Sequence, residues 1–217
     1  VVDGDHVLQR IGARLEAATA DDCAQMRRLA TAAMQAGAIG FSTSRSVNHR
    51  SVKGEPTPSL RATEAELQAI AAGLKDAGRG VLQFISDFNK PSLEEEFAML
   101  TRLVRDSGRP LSFSLGQRHS APEGWRQLLA LTSDANARGL PMAAQVAPRP
   151  IGVLLGLQGS RNPFSSCPGM QAIAHLSLDQ RVALLRQPAT RARIVAELQQ
   201  LDGRPADPLL PRFSDFS

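Results

Sequence analysis

The chain has 217 residues, of which 42% are hydrophobic and 21% charged, and its mean hydropathy is −0.17. These values are ordinary for a globular protein and exclude a disordered chain, a collagen and a long coiled coil. The net charge is only +4, the arginines are scattered and aromatic residues make up 4% of the chain, so we expect no nucleic-acid partner.

Nothing in the sequence predicts a membrane span or a secretory signal. No apolar run approaches the roughly 20 residues that a span needs, and the first residues lack a basic stretch followed by an apolar one. The cysteines, Cys23 and Cys167, form no CxxC pair, which argues against a disulfide framework and a thiolate zinc site. We therefore expect a protein of the reducing cytoplasm. The missing initiating methionine suggests that the chain begins within a longer gene.

A repeated pattern of helix starts and helix ends runs along the chain. Each start is a Ser or Thr followed three positions later by an acid or an amide, which is typical of a capping box. These caps are Thr19, Thr63, Ser92, Ser120 and Ser177. Glycines that favour the left-handed backbone of a helix end follow at Gly37, Gly78, Gly108 and Gly139.

A short apolar run follows each of these glycines. The runs cover residues 38–41, 81–85, 110–115 and 141–146, and their brevity favours strands buried on both faces. Right-handed crossovers would make consecutive strands parallel neighbours, and we place these strands near residues 39–43, 81–86, 111–115 and 142–146. We therefore predict an α/β fold, either a (β/α)8 barrel or a doubly wound sheet, with four βα units. Because a complete barrel takes about 250 residues, the chain contains about half of one.

Two polar stretches interrupt the pattern, at residues 43–62 and 149–170. Each follows a strand, and the loops after strands build the active face of a barrel. Beyond Ser177 we predict two short helices, over residues 178–186 and 189–201, and then an irregular Pro-rich end.

The predicted organisation has three parts. Residues 1–18 form an N-terminal segment, residues 19–176 form the central βα units, and residues 177–217 form the short helices and the tail.

The residues around the first predicted strand resemble a known family. Gly-Ala-Ile-Gly at residues 37–40, followed by Phe41 and then Ser-Thr, is similar to the middle-strand segment of N-acyl-D-amino-acid deacylases, in the amidohydrolase superfamily. Later segments resemble the same family in the same order, so that the resemblance covers about residues 18–185. It implies a partial (β/α)8 barrel of the TIM type and an enzyme that hydrolyses a linear amide C–N bond.

The resemblance also implies a metal, zinc, that polarises the scissile carbonyl and activates water. A carboxylate then moves the proton to the leaving amine. The family's ligands are a His-x-His on the first strand, histidines after the fifth and sixth strands, and an aspartate after the eighth. Here the histidines are isolated, at His6, His49, His119 and His175. We therefore expect a metal site that is incomplete or absent in this chain, and we predict no residue as a metal ligand.

Polar residues near the predicted strand ends are the candidates for a site. Asp87 is the one carboxylate among the candidates, and we assign it any acid–base role. The candidate substrate contacts are basic or amide side chains near strand ends or in the loop after the first strand: Arg45, His49, Arg50, Gln83, Gln117, Gln145 and Arg149. An arginine could grip a substrate carboxylate. The alternatives are a charged surface loop for the basic residues and a hydrogen-bonded barrel filling for the glutamines.

Two functions are therefore open. The first is an amidohydrolase of the N-acyl-D-amino-acid deacylase type that acts on a small molecule, and the second is a non-catalytic relative that serves as a binding or scaffold module. A four-stranded parallel sheet leaves two edge strands unpaired. We therefore expect a homodimer or a complex with the missing half of the barrel, and the alternative is a monomer whose terminal segments cover the edges.

Overall fold

The computed structural model describes residues 17–51, 55–88, 92–118, 121–150, 155–159 and 162–200. These residues divide into two compact units. Nearly all described residues up to Pro148 form the first unit, and those from Arg149 onward form the second, together with Arg118, Ala121 and Pro122. The division predicted from the sequence, at residues 18 and 176, stays a prediction.

The first unit alternates four helices with four strands. Its elements are α1 (Ala20–Gln35), β1 (Gly40–Arg45), α2 (Glu64–Asp76), β2 (Val81–Ser86), α3 (Leu93–Ser107), β3 (Leu111–Leu115), α4 (Gly124–Ala137) and β4 (Met142–Val146). The strands form one parallel sheet in the order β1-β2-β3-β4. The α/β fold, the four units and the parallel pairing of consecutive strands are therefore confirmed.

The helices of the first unit lie together on one face of the sheet. Each packs against the next, α1 on α2, α2 on α3 and α3 on α4. A doubly wound sheet carries helices on both faces and reverses its strand order, whereas the described sheet does neither. The unit therefore has the arrangement of part of a (β/α)8 barrel.

The prediction that the strands are buried on both faces is wrong. On β3, Leu111, Phe113 and Leu115 are buried against the helices, while the two serines between them are only partly buried. β4 is more open still, because Met142 is its single buried residue. The sheet buries one face, since the helices cover only that face.

The first strand, predicted near residues 39–43, lies at Gly40–Arg45, a shift of one residue at its start and two at its end. It begins at Gly40 and continues through Ser42 and Ser44 to Arg45, whereas the apolar run ends at residue 41. Ile39 precedes the strand and is 89% exposed. The limits of β1 are set by its pairing with β2, which begins at Gly40 opposite Val81 and continues residue by residue. The hydrophobicity of the segment does not set them.

Four of the five predicted helix caps are present, and the prediction of Ser120 as the cap of α4 is wrong, because Glu123 is the residue before the first turn of that helix. Thr19 and Ser177 form complete capping boxes with Asp22 and Gln180, and Thr63 and Ser92 accept the backbone N–H three residues on. Ser120 lies outside the described residues, and α4 begins after Glu123, which makes no side-chain cap bond. The four predicted helix-end glycines all have positive φ.

The second unit is a small cluster of helices: α5 (Pro168–Ala172), α6 (Leu178–Leu185) and α7 (Pro188–Gln200). The last two confirm the predicted short helices. α5 begins near the end of the predicted loop 149–170. A 3-10 helix, Pro58–Arg61, lies near the end of the other predicted loop, 43–62, in the first unit. Both begin at a proline, whose fixed φ suits a first helical turn. Among the described helices, none is long and apolar enough to cross a membrane.

A buried ion pair ties the ends of β1 and β2 to α3. Arg45 Nε lies 2.8 Å from Glu96 Oε1, and the two side chains are 17% and 4% exposed. Ser86 Oγ donates to the same carboxylate oxygen at 2.8 Å, and Arg45 Nη1 donates to the carbonyl of Ala62. The buried charges are thus paired and hydrogen-bonded, as low-dielectric surroundings require.

Removing one partner of this pair should be costly. We expect Glu96→Ala to lower the free energy of unfolding by about 1–3 kcal/mol, because the partly buried guanidinium of Arg45 and the hydroxyl of Ser86 would lose their acceptor. The double variant Arg45→Met/Glu96→Leu should lose less, since it leaves no charge unpaired. Urea denaturation measures both. The control is Asp76→Ala, which breaks the exposed Arg27–Asp76 pair and should hardly move the midpoint; an equal effect of the two alanine variants would contradict the prediction.

A second prediction concerns the contact between β1 and β2 at Gly40. A Cβ on this residue would lie 2.2 Å from the carbonyl oxygen of Val81, so that Gly40→Ala must push the strands apart. We expect a loss of about 1–3 kcal/mol in unfolding free energy. Gly116→Ala is the matched control, because a Cβ there would meet no atom within 4 Å. Equal stability of the two variants, measured by denaturation, would show that the strands do not approach this closely.

Candidate functional site

The face of the sheet opposite the helices is lined mainly by hydroxyl and amide groups, and Val81 and Ile85 of β2 share it. Strand register places Ser42 beside Gln83 and Gln83 beside Ser112, and Ser42 Oγ donates to Gln83 Oε1. Further along, Ser114 pairs with Gln145. We call this surface the open face and define it by Ser42, Ser44, Gln83, Ser112, Ser114 and Gln145.

The structure therefore brings two of the predicted site residues, Gln83 and Gln145, to one face. Ser44 lies on the same face, and its Oγ is buried without a hydrogen-bond partner. Buried polar atoms are normally satisfied. The open face thus offers amide donors and acceptors together with one unsatisfied hydroxyl, and no described residue of it carries a charge.

Arg45 is placed on the other side of the sheet. Successive side chains of a strand point to opposite faces, and Arg45 follows Ser44. Its guanidinium is engaged by Glu96 and by the carbonyl of Ala62. The structure therefore separates Arg45 from the glutamines of the open face.

Asp87 lies just after β2 and joins it to the loop after β1. Its Oδ1 accepts a hydrogen bond from Ser46 Oγ at 2.7 Å, and its Oδ2 accepts one from the Val47 backbone N–H at 2.8 Å. Ser46 is buried. The carboxylate therefore connects the carboxyl ends of two neighbouring strands.

His49 and Arg50 are exposed in the same loop. The His49 N–H donates to the carbonyl of Ser46, and Arg50 Nε donates to the carbonyl of Val47. Arg50 also forms a backbone bridge with Pro56. The structure thus connects Asp87, which follows β2, by hydrogen bonds to the loop after β1 that contains His49 and Arg50.

The remaining candidates are not brought together. Gln117 is exposed just after β3, and Arg149 is exposed in the second unit. His119 lies outside the described residues, and His175 is exposed after α5.

Sequence reasoning missed two residues of this region, Ser46 and Glu96. Nothing distinguishes Ser46 from the other serines of its polar loop. Glu96, however, stands in helical phase with Leu100 and Leu103, which are fully buried. A carboxylate on the apolar side of a helix predicts a buried partner, and that signal could have found it.

Comparison with known proteins decides the family. The amidohydrolase family model matches residues 1–200. The chain belongs to the amidohydrolase family. No curated protein matches it.

Among solved structures, the amidohydrolase chain is similar to a D-aminoacylase, with 22% identity and a TM-score of 0.48 over 61% of this chain and 26% of that one. It is also similar to an N-acyl-D-glutamate deacylase from Bordetella bronchiseptica in complex with zinc and a phosphonate inhibitor, with 23% identity and a TM-score of 0.48 over 63% of this chain and 27% of that one. The chain therefore spans about a quarter of the length of either enzyme.

The described residues of this amidohydrolase do not fit a zinc site. Within the described ranges, no group of three or more His, Cys, Asp and Glu residues could hold a metal ion. The ends of β2 and β3 offer amide and hydroxyl oxygens, whereas zinc prefers thiolate, imidazole and carboxylate ligands. The carboxylate of Asp87 already accepts two hydrogen bonds.

The cysteines of this amidohydrolase do not supply the missing ligands. Both are free thiols. Burial, together with Glu197, raises the pKa of the Cys167 thiol, and burial, together with Glu66 and Asp22, raises the pKa of the Cys23 thiol. Among the described residues, neither thiol belongs to a group of three or more His, Cys, Asp and Glu residues that could hold a metal ion.

We predict that the 217-residue chain alone does not retain a catalytic metal pair. After dialysis into metal-free buffer, elemental analysis should find well below one zinc per chain. Zinc added back should not raise the thermal unfolding midpoint, because a ligand that binds only the folded state would raise it. Retention of one or more equivalents, with hydrolysis of an N-acyl-D-amino acid, would contradict this.

Proposed function

We propose that this chain is part of an amidohydrolase that hydrolyses linear amide C–N bonds, of the N-acyl-D-amino-acid deacylase type. The observation that carries the proposal is the family match over residues 1–200. The sequence resemblance of residues 37–45 to these deacylases supports the narrower substrate class. The protein is proposed to act in the cytoplasm on a small molecule.

The open face is the proposed binding surface for the amide. Gln145 carries a donor and an acceptor, which match the carbonyl and the N–H of a secondary amide. The Gln83 amide already accepts from Ser42 Oγ and donates to the carbonyl of Phe84, and it keeps one N–H and one oxygen lone pair for a substrate. The unsatisfied hydroxyl of Ser44 can complete this set. A neutral surface suits the scissile amide itself, because no charge has to be desolvated on binding.

The substrate carboxylate needs a positive partner, and the loop after β1 is proposed to provide it. His49 and Arg50 are exposed there, and Arg50 can pair with a carboxylate. Gln117 remains a proposed contact, and Arg149, which belongs to the second unit, stays a prediction from the sequence. Arg45 is left out of this role, because Glu96 already neutralises its guanidinium.

Zinc is the metal that the resemblance implies for the whole enzyme. Because the described residues do not fit it, their role in this proposal is to bind and orient the substrate. A homodimer or the missing half of the barrel is proposed to complete the sheet at β1 and β4, its two edge strands within the described residues.

One observation favours a second candidate, a non-catalytic relative that acts as a binding or scaffold module. The ionisable groups at the ends of β1 and β2, Arg45 and Asp87, are both engaged by neighbouring residues. A strand end that satisfies its own charges needs neither metal nor substrate for stability.

An assay on the polypeptide in the full length that its gene encodes tests the proposal. With zinc present, we expect hydrolysis of N-acetyl-D-amino acids in preference to their L-enantiomers. The acetate that is released measures the rate. Gln83→Ala should raise KM, because it removes a binding contact. The control is Gln127→Ala on the exposed side of α4. Saturable binding without hydrolysis would favour the second candidate, and neither binding nor hydrolysis would refute both.

A further inference from the structure

The carboxylate of Asp87 holds two successive residues of the loop after β1. One oxygen accepts from the hydroxyl of Ser46 at 2.7 Å and the other from the backbone N–H of Val47 at 2.8 Å. Hydrogen bonds to a charged acceptor are stronger than neutral ones. Both carboxylate oxygens are thus engaged with the loop.

The two residues that Asp87 holds, Ser46 and Val47, also accept hydrogen bonds from the exposed basic residues of the loop. The carbonyl of Ser46 accepts from the His49 N–H at 3.3 Å, and the carbonyl of Val47 accepts from Arg50 Nε at 3.2 Å. Ser46 Oγ also accepts from the Asn48 N–H at 3.2 Å. A continuous series of hydrogen bonds therefore runs from Asp87 to His49 and Arg50.

The backbone after Asp87 is held in an unusual conformation. Phe88 has φ +47°, the one positive φ among the described residues other than glycine. This region is strained for a bulky residue and persists only when its surroundings enforce it. Here the buried ring packs edge-on against Phe113, with ring centres 5.4 Å apart, and the Phe88 N–H donates to Ser86 Oγ.

The same serine connects this segment to the buried ion pair. Ser86 Oγ donates to Glu96, which binds Arg45. Asp87 therefore lies between two fixed residues, Ser86 at the end of β2 and the strained Phe88. Its carboxylate is held by the sheet on one side and holds the loop on the other.

We propose that Asp87 is a positioning residue that latches the turn presenting His49 and Arg50, and that it takes no part in proton transfer. The latch is the pair of hydrogen bonds from Ser46 and Val47 to Asp87. The role in substrate binding rests on the proposed function, in which His49 and Arg50 meet the substrate carboxylate. The existence of the latch does not depend on the proposed function.

The exchange rate of the Val47 amide hydrogen tests the latch without any assay of activity. In Asp87→Ala the amide loses its acceptor, and its exchange should become about ten- to hundredfold faster. In Asp87→Asn a side-chain oxygen can still accept from Val47, while the Ser46 hydroxyl can turn to accept from the amide, so exchange should stay within about threefold.

The control for this measurement is Asp134→Ala, an exposed position on α4. It should leave the exchange of Val47 unchanged. Unchanged exchange in Asp87→Ala, in a variant whose other protected amides remain protected, would overturn the latch. A general rise in exchange at all amides would overturn it as well, since it would make Asp87 a residue of global stability.

Kinetics then separate positioning from proton transfer in the full-length polypeptide. Positioning predicts that Asp87→Ala raises KM about tenfold with kcat within about threefold, and that Asp87→Asn restores most of the loss. A fall of kcat by about a hundredfold or more in both variants would identify an acid–base group and overturn the proposal. If the polypeptide hydrolyses no N-acyl-D-amino acid, the proposed function fails, and the exchange of Val47 still decides whether the latch exists.

Discussion

The buried pair between Arg45 and Glu96 is the contact on which the arrangement of the strand ends depends. It draws the last residue of β1 to the helix side, where Ser86 joins it from β2. Because side chains alternate along a strand, this orientation directs Ser44 to the open face. A slip of one residue would exchange the two faces and would bury a serine in place of the ion pair. The pair thus selects the register that gives the open face its polar character.

Local signals in the sequence predict most of the first unit. Capping residues and helix-end glycines mark the helices because both act through neighbouring backbone groups, and the structure confirms all of them except the cap of α4, which begins after Glu123. What these signals cannot show is what lies against each strand. The limits of β1 follow from its pairing with Val81 across 41 residues of sequence, and the open face of β4 follows from where the helices pack. Both depend on contacts between distant segments, so the apolar runs alone misplaced the strand and overestimated its burial.

The sequence predicts where the polar side chains of the candidate site lie better than it predicts which partners they bind. Strand ends in a parallel sheet meet at one edge, and Gln145 lies there, next to the last residue of β4. Gln83 shares the open face but is the third residue of β2 and therefore lies in mid-strand. The partner of Arg45 is 51 residues away, and no local pattern tells whether an arginine at a strand end faces a substrate or a helix. The helical phase of Glu96 is the one signal that distinguishes these possibilities. Phe88 shows a further limit, since nothing in its sequence neighbourhood indicates a left-handed backbone at a buried phenylalanine.

Membership of the amidohydrolase family fixes an architecture, whereas the chemistry depends on the side chains at the strand ends. In this chain those side chains satisfy one another. Arg45 is neutralised by Glu96, and Asp87 is engaged by Ser46 and Val47, so these side chains have their hydrogen-bond partners before any ligand binds. Pre-ordered groups lower the entropic cost of binding, and the neutral open face lowers the cost of desolvation. These two properties favour recognition of an amide whether or not this part of the barrel also breaks it, which is why binding and hydrolysis have to be measured separately.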